Sequence, residues 1–187
     1  MSELSPPVVL RSSESVIIDL VRRLAGRSLS RVIYAGAECE QMRESSTPQI
    51  IDEVDLAMRL DFDGMCLRVD WARLGWTEGL AVQHGEKLPE GWAAVEQQRT
   101  RCWLPAAGRG LIAVQLIWHF ASDSALESLL GMQFDFQGGF SVLVALGEVD
   151  EGLPTYTPDS LLVMFDPISR GDYLDPRAVD ITRIPMG

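Results

Sequence analysis

Residues 54–71 read VDLAMRLDF-DG-MCLRVDW, and the fold follows from them outward. Val54, Leu56, Met58, Leu60 and Phe62 alternate with Asp55, Ala57, Arg59 and Asp61. Period two is the signature of a strand buried on one face. Beyond Asp63-Gly64 the alternation resumes, with Met65, Leu67, Val69 and Trp71 apolar and Cys66, Arg68 and Asp70 between them. Asp-Gly between alternating runs marks a hairpin, because both residues tolerate positive φ. A two-residue loop pairs Phe62 with Met65, Leu60 with Leu67, Met58 with Val69 and Leu56 with Trp71. Slipping by one residue would turn every apolar side chain to the wrong face, so turn and pattern demand one register. On the other face Arg59 stands opposite Arg68, where like charges repel. Their diagonal neighbours, Asp70 and Asp61, predict a solvated cross-strand charge lattice.

Upstream, Val16, Ile17, Leu20, Val21 and Leu24 fall on one helical face. Ser12 or Ser13 can cap the helix, Arg22, Arg23 and Arg27 sit at its C-terminal end, and Gly26 can end it. This predicts an amphipathic helix over 13–25. Arg31–Gly36 reads as a short strand, and 37–49 as a loop. Downstream, Gly75, Gly79, Gly85 and Gly91 punctuate the chain; Leu80–Gln83 reads as a short strand, and Trp92–Gln98 fits a helical turn or a strand. Leu111–Phe120, LIAVQLIWHF, is an apolar run with turn signals before it, the pattern of a strand buried on both faces. Ser124-Ala-Leu-Glu127 matches a capping box and predicts a short helix over 125–130 ended by Gly131. Phe134 and Phe136 flank Asp135 like an edge strand. Phe140–Leu146 and Leu161–Phe165 read as buried strands, and the segments after Asp166 as turns.

At 187 residues, 47% apolar and 23% charged, the chain is long enough for a sizeable core. These elements predict an α+β fold. It has a single globular domain over 12–187 behind a loose segment 1–11. A largely antiparallel sheet comprises 31–36, 54–62, 65–71, 111–120, 140–146 and 161–165. One long N-terminal amphipathic helix and one short helix complete it.

The formal net charge of −11 disfavours nucleic acid and anionic membrane surfaces, which want basic patches. No Lys or Arg occurs between Gly110 and Ser169, a stretch holding eight acids. Lys87 is the only lysine among sixteen basic residues, as expected of a GC-rich bacterial coding genome. No apolar run is long enough for a membrane span, and no signal peptide is expected from the opening MSELSPPVVLRSSES. Cys39, Cys66 and Cys102 are odd in number and widely spaced, as free thiols in a reducing cytoplasm are.

No Cys or His spacing fits a zinc site, and no nucleophile elbow, phosphate loop or dinucleotide fingerprint occurs. Asp61-Phe62-Asp63-Gly64 resembles the nucleophile motif of the haloacid-dehalogenase-like phosphatases, and Gly171-Asp172 with Asp175 resembles that family's acidic metal-binding motif. The resemblance implies Mg²⁺-dependent phosphoryl transfer through Asp61 and Asp63. Met65 stands where that family has Thr, and the flanking strand alternates, as a buried parallel strand does not. The string is therefore read as turn chemistry.

With no catalytic set and no cofactor expected, the leading reading is a non-enzymatic cytoplasmic binding protein. Its character is that of an immunity or antitoxin-type inhibitor masking a basic, toxin-like protein surface. Glu148, Asp150, Glu151 and Asp159 in an acidic loop are the candidate contacts, with Trp76 or Trp92 as aromatic anchor. A structural or accessory oligomer subunit is a third reading.

Overall fold

The computed structural model describes residues 7–36, 51–85, 88, 93–97, 101–120, 125–165, 167–174 and 178–186. Thirteen strands occur among them: β1 (Leu29–Gly36), β2 (Ile51–Val54), β3 (Ala57–Phe62), β4 (Met65–Leu74), β5 (Thr77–His84), β6 (Ala93–Glu96), β7 (Leu111–Phe120), β8 (Glu127–Phe136), β9 (Phe140–Leu146), β10 (Glu148–Asp150), β11 (Leu153–Thr155), β12 (Leu161–Met164) and β13 (Asp180–Pro185). Two helices accompany them, α1 (Glu14–Arg22) and α2 (Pro167–Leu174). The molecule is thus mostly antiparallel sheet. Rather than one sheet there are two large ones, ordered β5-β4-β3-β1-β6 and β13-β7-β8-β9-β12-β2, plus the small hairpin β10-β11. A single apolar cluster contains side chains of both, among them Leu60, Leu67 and Leu80 from the first and Leu116, Met132 and Val144 from the second.

The central hairpin adopts the register its alternation demands, with Phe62 opposite Met65, Leu60 opposite Leu67 and Met58 opposite Val69. The loop differs from the expected one in a detail. Only Gly64 has positive φ (79°), so Asp63-Gly64 carries the φ signature of a type II turn. Neighbouring chain holds Asp63 in place. Its Oδ2 accepts the Ser28 N–H at 2.9 Å, and its carbonyl accepts from the Arg27 guanidinium.

The expected strand 54–62 breaks in two. Val54 ends β2 in the six-stranded sheet, and Ala57 begins β3 in the five-stranded one. At the crossing, Leu56 N–H bonds the Ala35 carbonyl (3.2 Å) and Trp71 Nε1–H bonds the Asp55 carbonyl (2.8 Å). Gly36 makes the corner feasible, since a Cβ there would lie 3.1 Å from Asp55 Oδ2. Trp71 consequently pairs with Leu80 of β5, not with Leu56. Val54, Met58, Leu60 and Phe62 are all buried although Val54 belongs to the other sheet, so the period-two pattern runs through the change of sheet without showing it.

The long N-terminal helix is also corrected. Helix occupies 12 residues, a 3-10 turn at Arg11–Ser13 followed by the nine of α1. Ser13 Oγ bonds the Leu10 carbonyl instead of capping the helix. Residues 23–26 tighten into i→i−3 turns, and Gly26 (φ 72°) turns the chain away. Ile17 and Val21 are buried, whereas Val16 is exposed.

The expected short helix over 125–130 is not formed: 125–126 bend, and strand begins at Glu127. In β8, Leu129 pairs with Trp118 and Glu127 with Phe120; Ser124 lies outside the described residues. Pairing with β7 from Glu127 to Phe136, backed by β9 along Gly131–Phe136, outweighs a local capping signature, because short helices are marginal without tertiary support. Conversely, 167–174 forms α2, with Pro167 at the first helical position, where its missing N–H costs nothing.

The polar face of the hairpin differs from the expected lattice. The ion pairs run along each strand: Arg59 to Asp61 (2.6 and 2.8 Å), and Arg68 to Asp70 Oδ1 (2.9 and 2.8 Å). They are largely buried, the Asp70 side chain only 5% exposed.

Candidate functional site

Antiparallel pairing gives the sheet pair two ends. At the first, the β3–β4 turn and the β8–β9 turn meet through a backbone seam. Ser28 bridges Gly110, Gln137 N–H bonds the Gly110 carbonyl at 2.9 Å, and Arg109 reaches the Gln137 carbonyl at 3.1 Å. At the second, the β4–β5 turn meets the start of β8: Ser128 Oγ–H donates to the Glu78 carbonyl at 2.6 Å. A Cβ on Gly79 would stand 3.0 Å from Ser128 Cβ and 2.8 Å from Val8, so only glycine allows this approach. Val9 stitches the two strands, donating to the Leu80 carbonyl and accepting from Leu129 N–H, each at 2.9 Å.

The second end brings together several residues singled out from the sequence. Trp76 is 70% exposed at the tip of the β4–β5 hairpin, where Leu74 pairs with Thr77. Gly75 has φ 62° and Trp76 does not, the φ signature of a type II′ turn, which suits strand twist. The Arg73 guanidinium lies 5.8 Å from the Trp76 ring centroid. Glu148 and Asp150 lie on β10, and Glu151 (φ 49°) with Gly152 (φ 83°) forms its I′ turn. Asp150, Glu151 and Asp159 are exposed and Glu148 half-buried. Segment 147–160 begins and ends on one contact: Gly147 N–H bonds the Ser160 carbonyl at 3.0 Å, and Ser160 Oγ–H the Gly147 carbonyl at 2.5 Å. Between these points Glu53 Oε2 takes the Val149 N–H at 3.0 Å, and Tyr156 reaches β5. Trp92 lies outside the described residues, as does Cys39.

Beneath Trp76 lies a cluster that the sequence does not announce. Glu78, His119 and Ser128 are buried. Tyr156 O–H donates to Glu78 Oε1 at 2.7 Å, and its ring meets His119 edge-on at 5.5 Å. His119 stands directly opposite Ser128. Burial pulls the imidazole down from 6.5 to about 4, against the Glu78 charge and a hydrogen bond to the Glu78 backbone, both of which favour protonation. His119 Nε2 has no hydrogen-bond partner. Around the cluster, Leu74, Phe120 and Leu126 are all more than half exposed.

A second buried network ties the sheets together along one side. Trp103 Nε1–H donates to Tyr34 Oη (2.5 Å), and Tyr34 O–H donates to Asp52 Oδ2 (2.9 Å), joining β1 to β2. Burial raises Asp52, with the Tyr34 donor opposing; burial and then the Asp52 charge raise Tyr34. The Cys102 thiol is pushed up to about 11, chiefly by burial, so it is a protonated packing group. Trp103 is itself a core plug.

The two aspartates of the phosphatase-like string have separate protein partners. Asp61 is gripped by Arg59, and Asp63 accepts from Ser28. Among the described residues no group of three His, Cys, Asp or Glu side chains could hold a metal ion, and no helix is long and apolar enough to cross a membrane. Comparison with known proteins gives no family model, no curated relative and no solved structure that matches this chain.

Proposed function

We propose that the protein is an acidic binding module, of the immunity or antitoxin-inhibitor kind, that docks a basic protein surface with its Trp76 end. One observation carries the reading. A 70% exposed tryptophan stands at the tip of a two-residue turn, on the end crossed by the segment bearing Glu148, Asp150, Glu151 and Asp159. Large exposed aromatics on rigid supports are typical anchors, and acids around them raise association rates with basic partners. Leu74, Phe120 and Leu126 add apolar area at the same end. The net charge of −11 supports electrostatic capture.

The test compares two baits in affinity capture from the native host: the wild-type chain and one with Glu148, Asp150, Glu151 and Asp159 changed to Lys. The wild type is expected to retain a basic protein that the variant loses. Association with that partner should slow steeply with added salt. A partner set shared by both baits would sink the docking assignment.

A further inference from the structure

The acidic segment 147–160 is pinned to the Trp76 end by Tyr156, whose hydroxyl is bonded to Glu78 and whose ring stands against His119. His119 is 4% exposed. Its buried Nε2 meets no hydrogen-bond partner, and the nearby Glu78 charge and backbone favour the protonated ring. A proton on Nε2 would place a cationic N–H, without an acceptor, in a buried site. We propose that His119 is an acid-sensitive latch: neutral, it holds Tyr156 and the acidic segment against the Trp76 end; protonated, it draws the Glu78 carboxylate away from Tyr156 and releases the segment.

The charged groups around His119 fit this division of labour. Glu78 on β5 is the carboxylate acting on the imidazole. Glu127 on β8 lies 3.9 Å from Arg11, and Asp180 on β13 is bonded to Arg11 at 2.6 Å. Arg11 itself stands 4.8 Å over the Trp118 ring. Ser128, opposite His119, is uncharged, and Tyr156 is the group released.

The sign follows from linkage. His119 titrates at about 4 when packed and near 6.5 when freed. The open form therefore binds more protons, and the closed form weakens as pH falls from 6.5 toward 4. These two values give an opening constant roughly 60-fold larger at pH 4.5 than at pH 7. That the latch regulates docking rests on the reading above, whereas the latch itself is a property of the free chain.

Amide hydrogen exchange of the whole chain, corrected for intrinsic pH dependence, tests it. Between pH 7 and 4.5 the amides of Leu153, Thr155 and Tyr156 should lose protection by tens of fold, while those of the β3–β4 hairpin keep theirs. His119→Phe, which keeps a ring against Tyr156 but cannot titrate, should abolish the difference. Unchanged protection in the wild type, or equal loss in His119→Phe, would overturn the latch. Should that variant not fold, NMR titration of the wild-type imidazole decides: a midpoint near 4 supports the latch, and one near 6.5 overturns it. Failure of the capture experiment would remove the docking role without touching these results.

Discussion

At the Asp63 end, donors and acceptors are matched in place. Ser28 and Arg27 hold Asp63, Arg109 holds Gln137, and Gly110 accepts from Gln137. At the Trp76 end, a buried carboxylate, an imidazole with an unmet nitrogen and a tyrosine converge beneath an exposed tryptophan. The first arrangement makes turns that need nothing further. The second keeps apolar area and charge outside and an unmet polar atom, His119 Nε2, inside. The two ends use the same hairpin architecture, so the difference lies in side chains and not in topology.

The largest expected effect belongs to Gly147, with Gly64 at the other end as its contrast. Gly147 has φ 146°, and a Cβ there would meet the Thr155 carbonyl at 2.5 Å, so Gly147→Ala should cost about 3 kcal/mol or more in urea unfolding. Gly64 has φ 79°, and a Cβ there would touch only the flexible Arg27 guanidinium at 4.0 Å, so Gly64→Ala should cost only about 1 kcal/mol. Equal losses would erase the contrast between a packed chain origin and a simple turn. Next, Tyr156→Phe removes a hydrogen bond to a buried carboxylate. It should cost about 1–3 kcal/mol in the same measurement and raise exchange in 147–160 at pH 7. No change in exchange would mean that Tyr156 does not pin the segment. The smallest stability effect belongs to Trp76→Ala, within about 0.5 kcal/mol because the side chain is mostly solvated. A loss well beyond that would make Trp76 a packing residue and not an anchor.

Legibility followed the range of the physics. The β3–β4 register was readable because alternation and turn are local and agree, and β7 and β9 because their apolar runs are long and bounded. β8 was misread because Ser124 and Glu127 suggest a cap, while the pairing that overrides it is contributed by β7 and β9. The lattice expected on the hairpin face was wrong because Arg59 and Arg68 each found the carboxylate two residues along their own strand. Of the site, Trp76 and the acids were legible as residue types in loops. Glu78, Ser128 and Tyr156 were not, since a lone acid after a tryptophan or a tyrosine in a polar loop carries no local mark.

Periodicity, turn residues and charge were enough to establish a sheet-rich acidic chain built around one hairpin, because each of those signals acts between neighbours in sequence. The division into two sheets at Asp55–Leu56, and the convergence of Glu78, His119, Ser128 and Tyr156, were settled only in three dimensions. Both depend on contacts between strands far apart in the chain, where pairing and burial outweigh local preference.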